Sequence, residues 1–140
     1  MNALTKGLCP CNSGKPYDKC CKMLHDGVEK AKNALELMMS RYSAYAMKQA
    51  DYIINTTHPK NEEFSNDLTS WTMAIQDFMH QTSFENLKVL DFQEQAHEAF
   101  VIFQAILSFE GRDCSFTERS RFVKEDDKWY YESGEIFETI

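Results

Sequence analysis

The chain has 140 residues, of which 43% are hydrophobic, and a formal net charge of −7. This is enough for one domain with a hydrophobic core and a small appendage, whereas the negative charge argues against general nucleic-acid binding, which needs a basic surface. No apolar run approaches the roughly 18 residues of a membrane-spanning helix, and the start, MNALTKGL, lacks the apolar core of a signal peptide, so we expect a cytoplasmic protein that does not enter the membrane.

The most informative stretch is residues 9–21, which reads CPCNSGKPYDKCC and holds four of the five cysteines. Gly14 tolerates positive φ and Pro16 restricts φ, so the chain can turn between the two cysteine pairs and bring them together. Four thiolates suit a tetrahedral zinc ion, and a filled shell leaves no position for a reacting water. The spacing therefore predicts one structural Zn²⁺ bound by Cys9, Cys11, Cys20 and Cys21. A cluster of reduced or redox-active thiols is the alternative interpretation.

Lysines surround these cysteines. Residues 1–32 contain six lysines and three acidic residues, a formal +3, so residues 33–140 carry −10. Because Zn²⁺ with four thiolates has a net charge of −2, the first interpretation is that the lysines offset the metal centre. The second is a surface for an anion or RNA.

The spacing of apolar residues predicts three helices after the cysteine-rich stretch. Recurrence at three and four residues indicates a helix from about 26 to 49. Asp51 is expected to cap a short helix over 52–57, which the pair at 58–59 ends. A third helix is predicted from the apolar face that runs from 64 to 79, with polar N-cap candidates at 65–67.

The second half of the chain changes to the alternating pattern of strands. Strands are predicted over 87–94, 98–110, 114–124 and 128–133, with a short edge at 136–137. Both faces of the second strand are apolar, which indicates burial on both sides or curvature around a core. Helices followed by hairpin-linked strands predict an α+β fold, in which the helices pack on one concave face of an antiparallel sheet.

Residues 9–21 resemble the SEC-C motif, best known as the C-terminal tail of the SecA preprotein translocase ATPase. That tail usually ends in Cys-His, and some copies end in Cys-Cys, as here. Asn12 stands where the motif usually has glycine, and asparagine also tolerates positive φ. The resemblance implies zinc ligation by the four cysteines named above. It also implies a protein partner, because the SecA tail engages the acidic chaperone SecB and contacts the ribosome.

Four further segments resemble the YchJ family of small bacterial proteins: 37–46, 51–59, 118–122 and 129–134. With the cysteine motif they cover nearly the whole chain. The resemblance implies a nuclear-transport-factor-2-like cone, in which about three helices pack into a strongly curved antiparallel sheet. The predicted domains are therefore a zinc knuckle over 1–25 and a cone over 26–140. Many family members carry a second knuckle, these 140 residues contain one, and cone folds often form homodimers through their sheets.

Cone folds of this type often hold a pocket between helices and sheet. The candidate lining residues are Arg41, Tyr45, Asp51, His58 and Trp71. In enzymes of the superfamily an Asp–His pair in this pocket performs acid–base catalysis, and a buried arginine can bind a carboxylate or phosphate. The simpler interpretation is that Arg41 pairs with an acid or with helix carbonyls, Asp51 caps a helix and His58 ends one. We assign no catalytic residue.

Charged residues alternate with apolar ones in the predicted strand over 114–124. Glu118, Arg119 and Arg121 are expected to form a charged rim around the pocket, a partner surface, or a solvated sheet face with weak cross-strand ion pairs. Cys114 stands apart from the other cysteines and is expected to behave as a small apolar residue.

Two functions from different classes follow. The first is a non-enzymatic adaptor that docks a protein partner, such as one associated with a chaperone or the ribosome, through Lys15, Lys19 and Lys22 of the knuckle. The second is a pocket enzyme, such as a lyase, isomerase or hydrolase, with a purely structural zinc. Ribosomal or RNA binding through the lysines alone is disfavoured by the charge of −10 on the remainder of the chain.

Overall fold

The computed structural model describes the backbone of residues 7–139 and the side chains up to residue 137. The first six residues of the predicted knuckle domain lie outside this range. The helices are α1 Cys21–His25, α2 Ala34–Ala46, α3 Ala50–Asn55 and α4 Leu68–Gln81, with a short 3-10 turn at Tyr17–Lys19. Within the described range no helix has the length and apolar character needed to cross a membrane.

The predicted helix over 26–49 begins eight residues later than expected. Gly27, with φ of 78°, follows α1 in the left-handed region and breaks the helical path. Asn33 then caps α2, because its side-chain oxygen accepts a hydrogen bond from the backbone N–H of Glu36 at 2.8 Å. Apolar periodicity alone continued through this break, so the short separate helix α1 was missed.

The caps of the next two helices differ from each other. Asp51 does not cap α3: it lies in the first turn, after Gln49, and its side chain is exposed. Asp67 does cap α4, because its carboxylate accepts a hydrogen bond from the backbone N–H of Ser70 at 3.2 Å.

The strands form one antiparallel sheet in the order β1-β2-β4-β5, with the two-residue β3 paired to β2. The strands are β1 Thr82–Glu94, β2 Glu98–Phe109, β3 Arg112–Asp113, β4 Phe116–Glu125 and β5 Lys128–Thr139. Register shifts interrupt the β1–β2 and β4–β5 ladders twice each. Such bulges bend and twist a sheet, which suits one that curves around helices.

The sequence predicted that the last strand ends at residue 133, but the strand does not stop before Gly134. β5 continues through it, and Gly134 pairs with Ser120 of β4. A Cβ atom at Gly134 would overlap the carboxylate of Glu118 and the hydroxyl of Tyr131. The glycine is therefore explained by the room that it leaves for these two side chains rather than by a turn.

Two apolar clusters form the core of the cone. In the larger one, Leu37 and Met38 of α2 pack against the concave face of the sheet, including Leu87, Val101 and Phe122. The smaller cluster joins α3 to α4. The segment after α3 is joined to the last strand by two backbone hydrogen bonds. The N–H of Tyr131 donates to the carbonyl of Thr56, and the carbonyl of Tyr131 accepts from the N–H of His58. The α+β prediction of helices on a curved antiparallel sheet, preceded by a cysteine cluster, is confirmed.

Candidate metal centre and internal cavity

A tight backbone turn brings the two cysteine pairs together. Asn12 and Gly14 adopt positive φ values of 70° and 87°. The backbone N–H of Cys9 donates to the carbonyl of Lys15 at 2.9 Å, and Leu8 bridges to Pro16. The turn residues that the sequence singled out therefore reverse the chain between the cysteine pairs.

The four thiols of Cys9, Cys11, Cys20 and Cys21 converge on one point, with all sulfur atoms within 4.8 Å of one another. The Sγ atoms of Cys11 and Cys20 are 3.6 Å apart, and those of Cys20 and Cys21 are 4.0 Å apart. A tetrahedron with Zn–S bonds of about 2.3 Å has edges of about 3.8 Å. The cluster thus has the size of a four-sulfur metal site, and the four cysteines could hold a metal ion.

Burial and hydrogen bonding make this cluster unfavourable for four thiolates without a cation. Cys9, Cys11 and Cys21 are at most 4% exposed. Hydrogen bonds from the thiols of Cys11 and Cys21 hold the pKa of Cys9 well below its usual range. A hydrogen bond to Cys11 in turn raises the pKa of Cys21 far above its usual range. Without a cation the sulfurs therefore cannot all ionise together, and a divalent metal would supply the compensating charge.

Serine hydroxyls flank the sulfurs on two sides. The hydroxyl of Ser43 on α2 lies 3.3 Å from the Cys9 sulfur, and that of Ser13 lies 3.2 Å from the Cys20 sulfur. Each hydroxyl can donate to a thiolate and reduce its charge. Because Ser43 belongs to α2, this contact also attaches the cysteine cluster to the cone.

His25 fastens the knuckle to α2 and is not positioned as a metal ligand. Its Nε2 lies 2.8 Å from the carbonyl of Ser40, and its Nδ1 lies 2.6 Å from the hydroxyl of Tyr17. Since a carbonyl only accepts, Nε2 carries the proton and Nδ1 accepts from Tyr17 in the neutral ring. Burial lowers the pKa of His25, which favours this neutral form.

The three lysines predicted to contact a partner are all exposed. Lys15 lies in the turn, Lys19 in the 3-10 turn and Lys22 in α1. Lys22 pairs with Asp26 at 2.7 Å, and both side chains are about half exposed. Their role in binding stays a prediction.

A cavity of about 680 Å³ lies between α2, α3, α4 and the sheet. Its lining residues are mainly apolar and aromatic: Met38, Arg41, Tyr42, Tyr45, Ile53, Thr57, Asn61, Glu63, Trp71, Ala74, Ile75, Phe78, Phe84, Phe103, Ala105, Leu107, Phe116, Glu118, Ser120, Phe122 and Tyr131.

Of the five residues predicted for such a pocket, the structure brings Arg41, Tyr45 and Trp71 together in the lining. Asp51 is exposed on α3 and does not line the cavity. His58 is buried outside it, with its Nε2 2.7 Å from a carboxylate oxygen of Glu125. The Asp–His pair is therefore not assembled in this cavity.

Arg41 is 8% exposed and is anchored to the end of α3. Its Nη1 donates to the carbonyl of Ile53 at 3.2 Å and to the hydroxyls of Thr56 and Thr57 at 2.8 and 3.1 Å. Its guanidinium carbon lies 4.6 Å from the centre of the Tyr131 ring. The carbonyl end of a helix and an aromatic face both favour a cation, which explains how the charge is tolerated here.

Glu118, which the sequence placed at most on a rim around the pocket, lies in the lining itself. Its Oε2 accepts hydrogen bonds from the hydroxyls of Ser120 and Tyr131, the latter at 3.0 Å. Burial, and next the charge of Glu118, raise the pKa of Tyr131 well above its usual range. The sequence did hold a signal, because Glu118 shares its strand parity with the inward-facing Phe116, Ser120 and Phe122.

The chain matches known proteins over nearly its whole length. Residues 33–134 match the family described as YchJ, middle NTF2-like domain. A UPF0225 protein from Serratia proteamaculans is 38% identical over 132 residues, covering 91% of this chain and 82% of the relative. A UPF0225 protein from Vibrio cholerae is 35% identical over 130 residues, with coverage of 91% and 82%.

Two solved structures share both the fold and the cysteine motif named in their descriptions. The solution structure of a SEC-C motif-containing protein from Rhodopseudomonas palustris has a TM-score of 0.81 and 35% identity, covering 93% of this chain and 98% of that one. The crystal structure of a SEC-C motif-containing protein from Psychrobacter arcticus has a TM-score of 0.74 and 25% identity, with coverage of 94% and 84%. The chain thus belongs to the YchJ family, and it combines a SEC-C-type cysteine cluster with an NTF2-like cone.

Proposed function

We propose that this protein is a non-enzymatic binding module whose knuckle holds a structural Zn²⁺ and docks an acidic surface of a partner protein. The observation that carries the proposal is the cluster of four cysteine sulfurs within 4.8 Å of one another, in a turn that also carries exposed lysines. Soft thiolates in a tetrahedral arrangement favour zinc over the harder divalent cations. Cytoplasmic location is part of the proposal, because thiols stay reduced there.

A structural role for the metal follows from the donor set. Four thiolates fill the coordination shell, so no site remains for a water or substrate. Cys9, Cys11 and Cys21 are buried, which also restricts access to the metal. The ion would hold the turn closed and keep the knuckle seated on α2 through the contact between Cys9 and Ser43.

The docking role rests on where the positive charge lies. Lys15, Lys19 and Lys22 are exposed on a knuckle that precedes a part of the chain with a charge of −10. A localised basic patch on an acidic protein steers an acidic partner to one place. The similarity to the SecA tail makes the acidic chaperone SecB the partner to test first.

Metal analysis of the purified protein tests the zinc site. We expect one zinc per chain, and X-ray absorption should show four sulfur neighbours at about 2.3 Å. A chain purified from zinc-containing medium that carries no metal, or whose zinc has nitrogen or oxygen neighbours, would contradict the site.

Charge reversal tests the docking surface. We compare a knuckle variant, Lys15→Glu with Lys19→Glu and Lys22→Glu, with a control of equal charge change, Lys60→Glu with Lys88→Glu and Lys128→Glu. Titration calorimetry with purified SecB should show binding to the wild type and the control, and at least about tenfold weaker binding to the knuckle variant. Equal weakening in both variants, or no SecB binding by the wild type in low salt, would refute docking through the knuckle.

The alternative, a pocket enzyme, has less support from the side chains. The cavity contains Arg41 and Tyr45 but neither Asp51 nor His58, so the acid–base pair that motivated this alternative is not assembled there. The cavity instead has the features of a binding site.

A further inference from the structure

The internal cavity contains a buried cation that has no acidic partner among the described residues. Arg41 is more than nine-tenths buried, and none of the ion pairs found within residues 7–137 includes it. All three of its hydrogen bonds are made by Nη1. Its Nε and Nη2 groups make none within this part of the chain, although Arg41 lines the cavity. This leaves an adjacent pair of donors, the geometry that binds a carboxylate through two parallel hydrogen bonds.

An acceptor lies beside the hydroxyl of the same tyrosine. The Tyr131 ring lies under Arg41, while the Tyr131 hydroxyl donates to Glu118. Both described hydrogen bonds of Glu118 go to Oε2, which leaves Oε1 without a partner within the described side chains. The cavity thus offers a cation and an anion, each with one side unused, flanking one aromatic ring.

The rest of the lining is mainly apolar, with polar side chains at Thr57, Asn61, Glu63 and Ser120, and the cavity has an opening on the side of α4. Tyr45, Ile75, Phe84, Phe103 and Phe116 are among the lining residues. Ala74 and Phe78 of α4 also line the cavity and are exposed, so the cavity opens to solvent beside these two residues. A volume of about 680 Å³ falls within the usual range of small-molecule sites.

We propose that this cavity binds a small molecule with an apolar, aromatic-sized body that carries a carboxylate beside a hydrogen-bond donor. The carboxylate pairs with Nε and Nη2 of Arg41, the donor bonds Oε1 of Glu118, and the body fills the aromatic part of the cavity. An apolar amino acid supplies the donor as an ammonium group, and the corresponding hydroxy acid supplies it as a hydroxyl. The site is separate from the knuckle, so it goes beyond the proposed docking function.

Both polar groups are needed for this selectivity. A plain fatty or aryl acid would satisfy Arg41 but would leave Glu118 without a donor and close to another negative charge. A plain amine would satisfy Glu118 and leave Arg41 unpaired. A bound ligand displaces the water around Arg41 and Glu118, so each charged group that it leaves without a partner costs binding energy, because its hydration is lost without replacement.

A series of four probes tests the proposal by NMR chemical-shift titration of the zinc-loaded full chain. The probes are L-phenylalanine, L-phenyllactate, 3-phenylpropionate and 2-phenylethylamine, which share one aromatic body. At least one of the first two should bind at least about tenfold more tightly than either of the last two, as expected for a charge-assisted hydrogen bond. Tighter binding of phenylalanine than of phenyllactate identifies an amino acid, and the reverse identifies a hydroxy acid. Equal affinity for all four, or no binding at millimolar concentration, overturns the proposal.

Matched variants locate the binding. Ala74→Trp should obstruct the opening and abolish binding, whereas Met73→Trp, at an exposed neighbouring position outside the lining, should leave it unchanged. Glu118→Gln should reduce the preference for phenylalanine over 3-phenylpropionate, and Arg41→Met should reduce the preference for phenylalanine over 2-phenylethylamine, each by about tenfold or more.

If Arg41→Met does not fold, the Ala74 and Glu118 variants still test whether the ligand binds in this cavity. Binding that survives Ala74→Trp would place the ligand elsewhere and overturn the proposal. Each variant should retain one metal ion per chain, which separates failure of this site from failure of the knuckle.

Discussion

Two regions of the molecule, the knuckle (residues 7–25) and the cone (residues 26–139), are each stabilised by different contacts. The buried cluster of the knuckle consists of three cysteines, with Tyr17, Cys20 and Met39 packed against it. The cone has two clusters of buried aliphatic and aromatic side chains. A cluster of sulfurs buries too little apolar surface to support a fold, so we expect its stability to depend on the proposed metal ion. The cone distributes its stability over many contacts.

The two regions nevertheless meet over a specific junction. His25 bonds the Ser40 carbonyl, Ser43 contacts the Cys9 sulfur, and the side-chain amide of Asn12 donates to the carbonyl of Leu87. The junction includes polar contacts, which are more sensitive to geometry than apolar packing. The cone should therefore keep its fold without the metal, whereas the knuckle should not.

The largest expected effect is that of removing one sulfur. Cys11→Ser should abolish stoichiometric metal binding and eliminate hydrogen-exchange protection in the knuckle, because structural zinc contributes about 10 kcal/mol or more to the folding of small metal-dependent units. Metal analysis and exchange mass spectrometry measure this. Cys114→Ser, which changes the cysteine outside the cluster, should retain one ion per chain. Full metal occupancy in Cys11→Ser would show that three thiolates suffice.

A core substitution in the cone should act independently of the metal. Leu37 is 2% exposed, so Leu37→Ala should lower the free energy of unfolding by about 2 to 5 kcal/mol. Met73→Ala, at a position 59% exposed on α4, should change it by less than about 0.5 kcal/mol. Urea unfolding with and without a chelator should give the same cost for Leu37→Ala. A cost that disappears in the chelator would show that the cone depends on the metal.

The junction should be weaker than either region. His25→Phe keeps a ring between Tyr17 and Tyr52 but loses the hydrogen bonds to Tyr17 and Ser40, at a cost of about 1 to 2 kcal/mol. Amide exchange in the knuckle should become faster while the metal content stays at one. His80→Gln, at an exposed position on α4, is the matched control. An unchanged rate of amide exchange in His25→Phe would mean that the sulfur cluster alone holds the knuckle against the cone.

The smallest expected effect is a pH dependence through the same histidine. Burial lowers the pKa of His25 below the value of about 6.5 found in unfolded chains. Between these two pKa values the unfolded state binds more protons, so this part of the stability is present above about pH 6.5 and is lost as the pH falls. Long-range nitrogen–proton NMR should show neutral His25 at pH 6.5, with the proton on Nε2. A half-protonated ring at that pH would contradict the buried hydrogen bonds.

The local patterns that were predicted correctly involve residues close together in the chain. The spacing of the cysteines and the turn residues between them were enough to predict their convergence, because only twelve peptide bonds separate Cys9 from Cys21. Strand alternation was enough to predict the antiparallel sheet. The errors occurred where one backbone angle interrupts a pattern, as at Gly27, or where a glycine serves packing, as at Gly134.

The candidate pocket was accessible from the sequence only in part. Arg41, Tyr45 and Trp71 were recognised because large or charged side chains on helix faces often border a cavity in a cone. Asp51 and His58 were included because an Asp–His pair performs acid–base catalysis in related cone pockets, but their orientation depends on how α3 begins and on the partner of His58 in the sheet. Glu118 was grouped with Arg119 and Arg121, although it has the parity of the inner face.

By itself, the sequence determined the cysteine cluster, the helices-then-strands order and the family, since these depend on spacing, periodicity and short motifs. Only the tertiary structure decided that Arg41 and Glu118, 77 positions apart, flank Tyr131 inside one cavity. The reason is that side chains from different elements meet according to strand register, bulges and the seating of a helix on the sheet. Those features are set by the packing of the whole cone, and no local stretch of sequence specifies them.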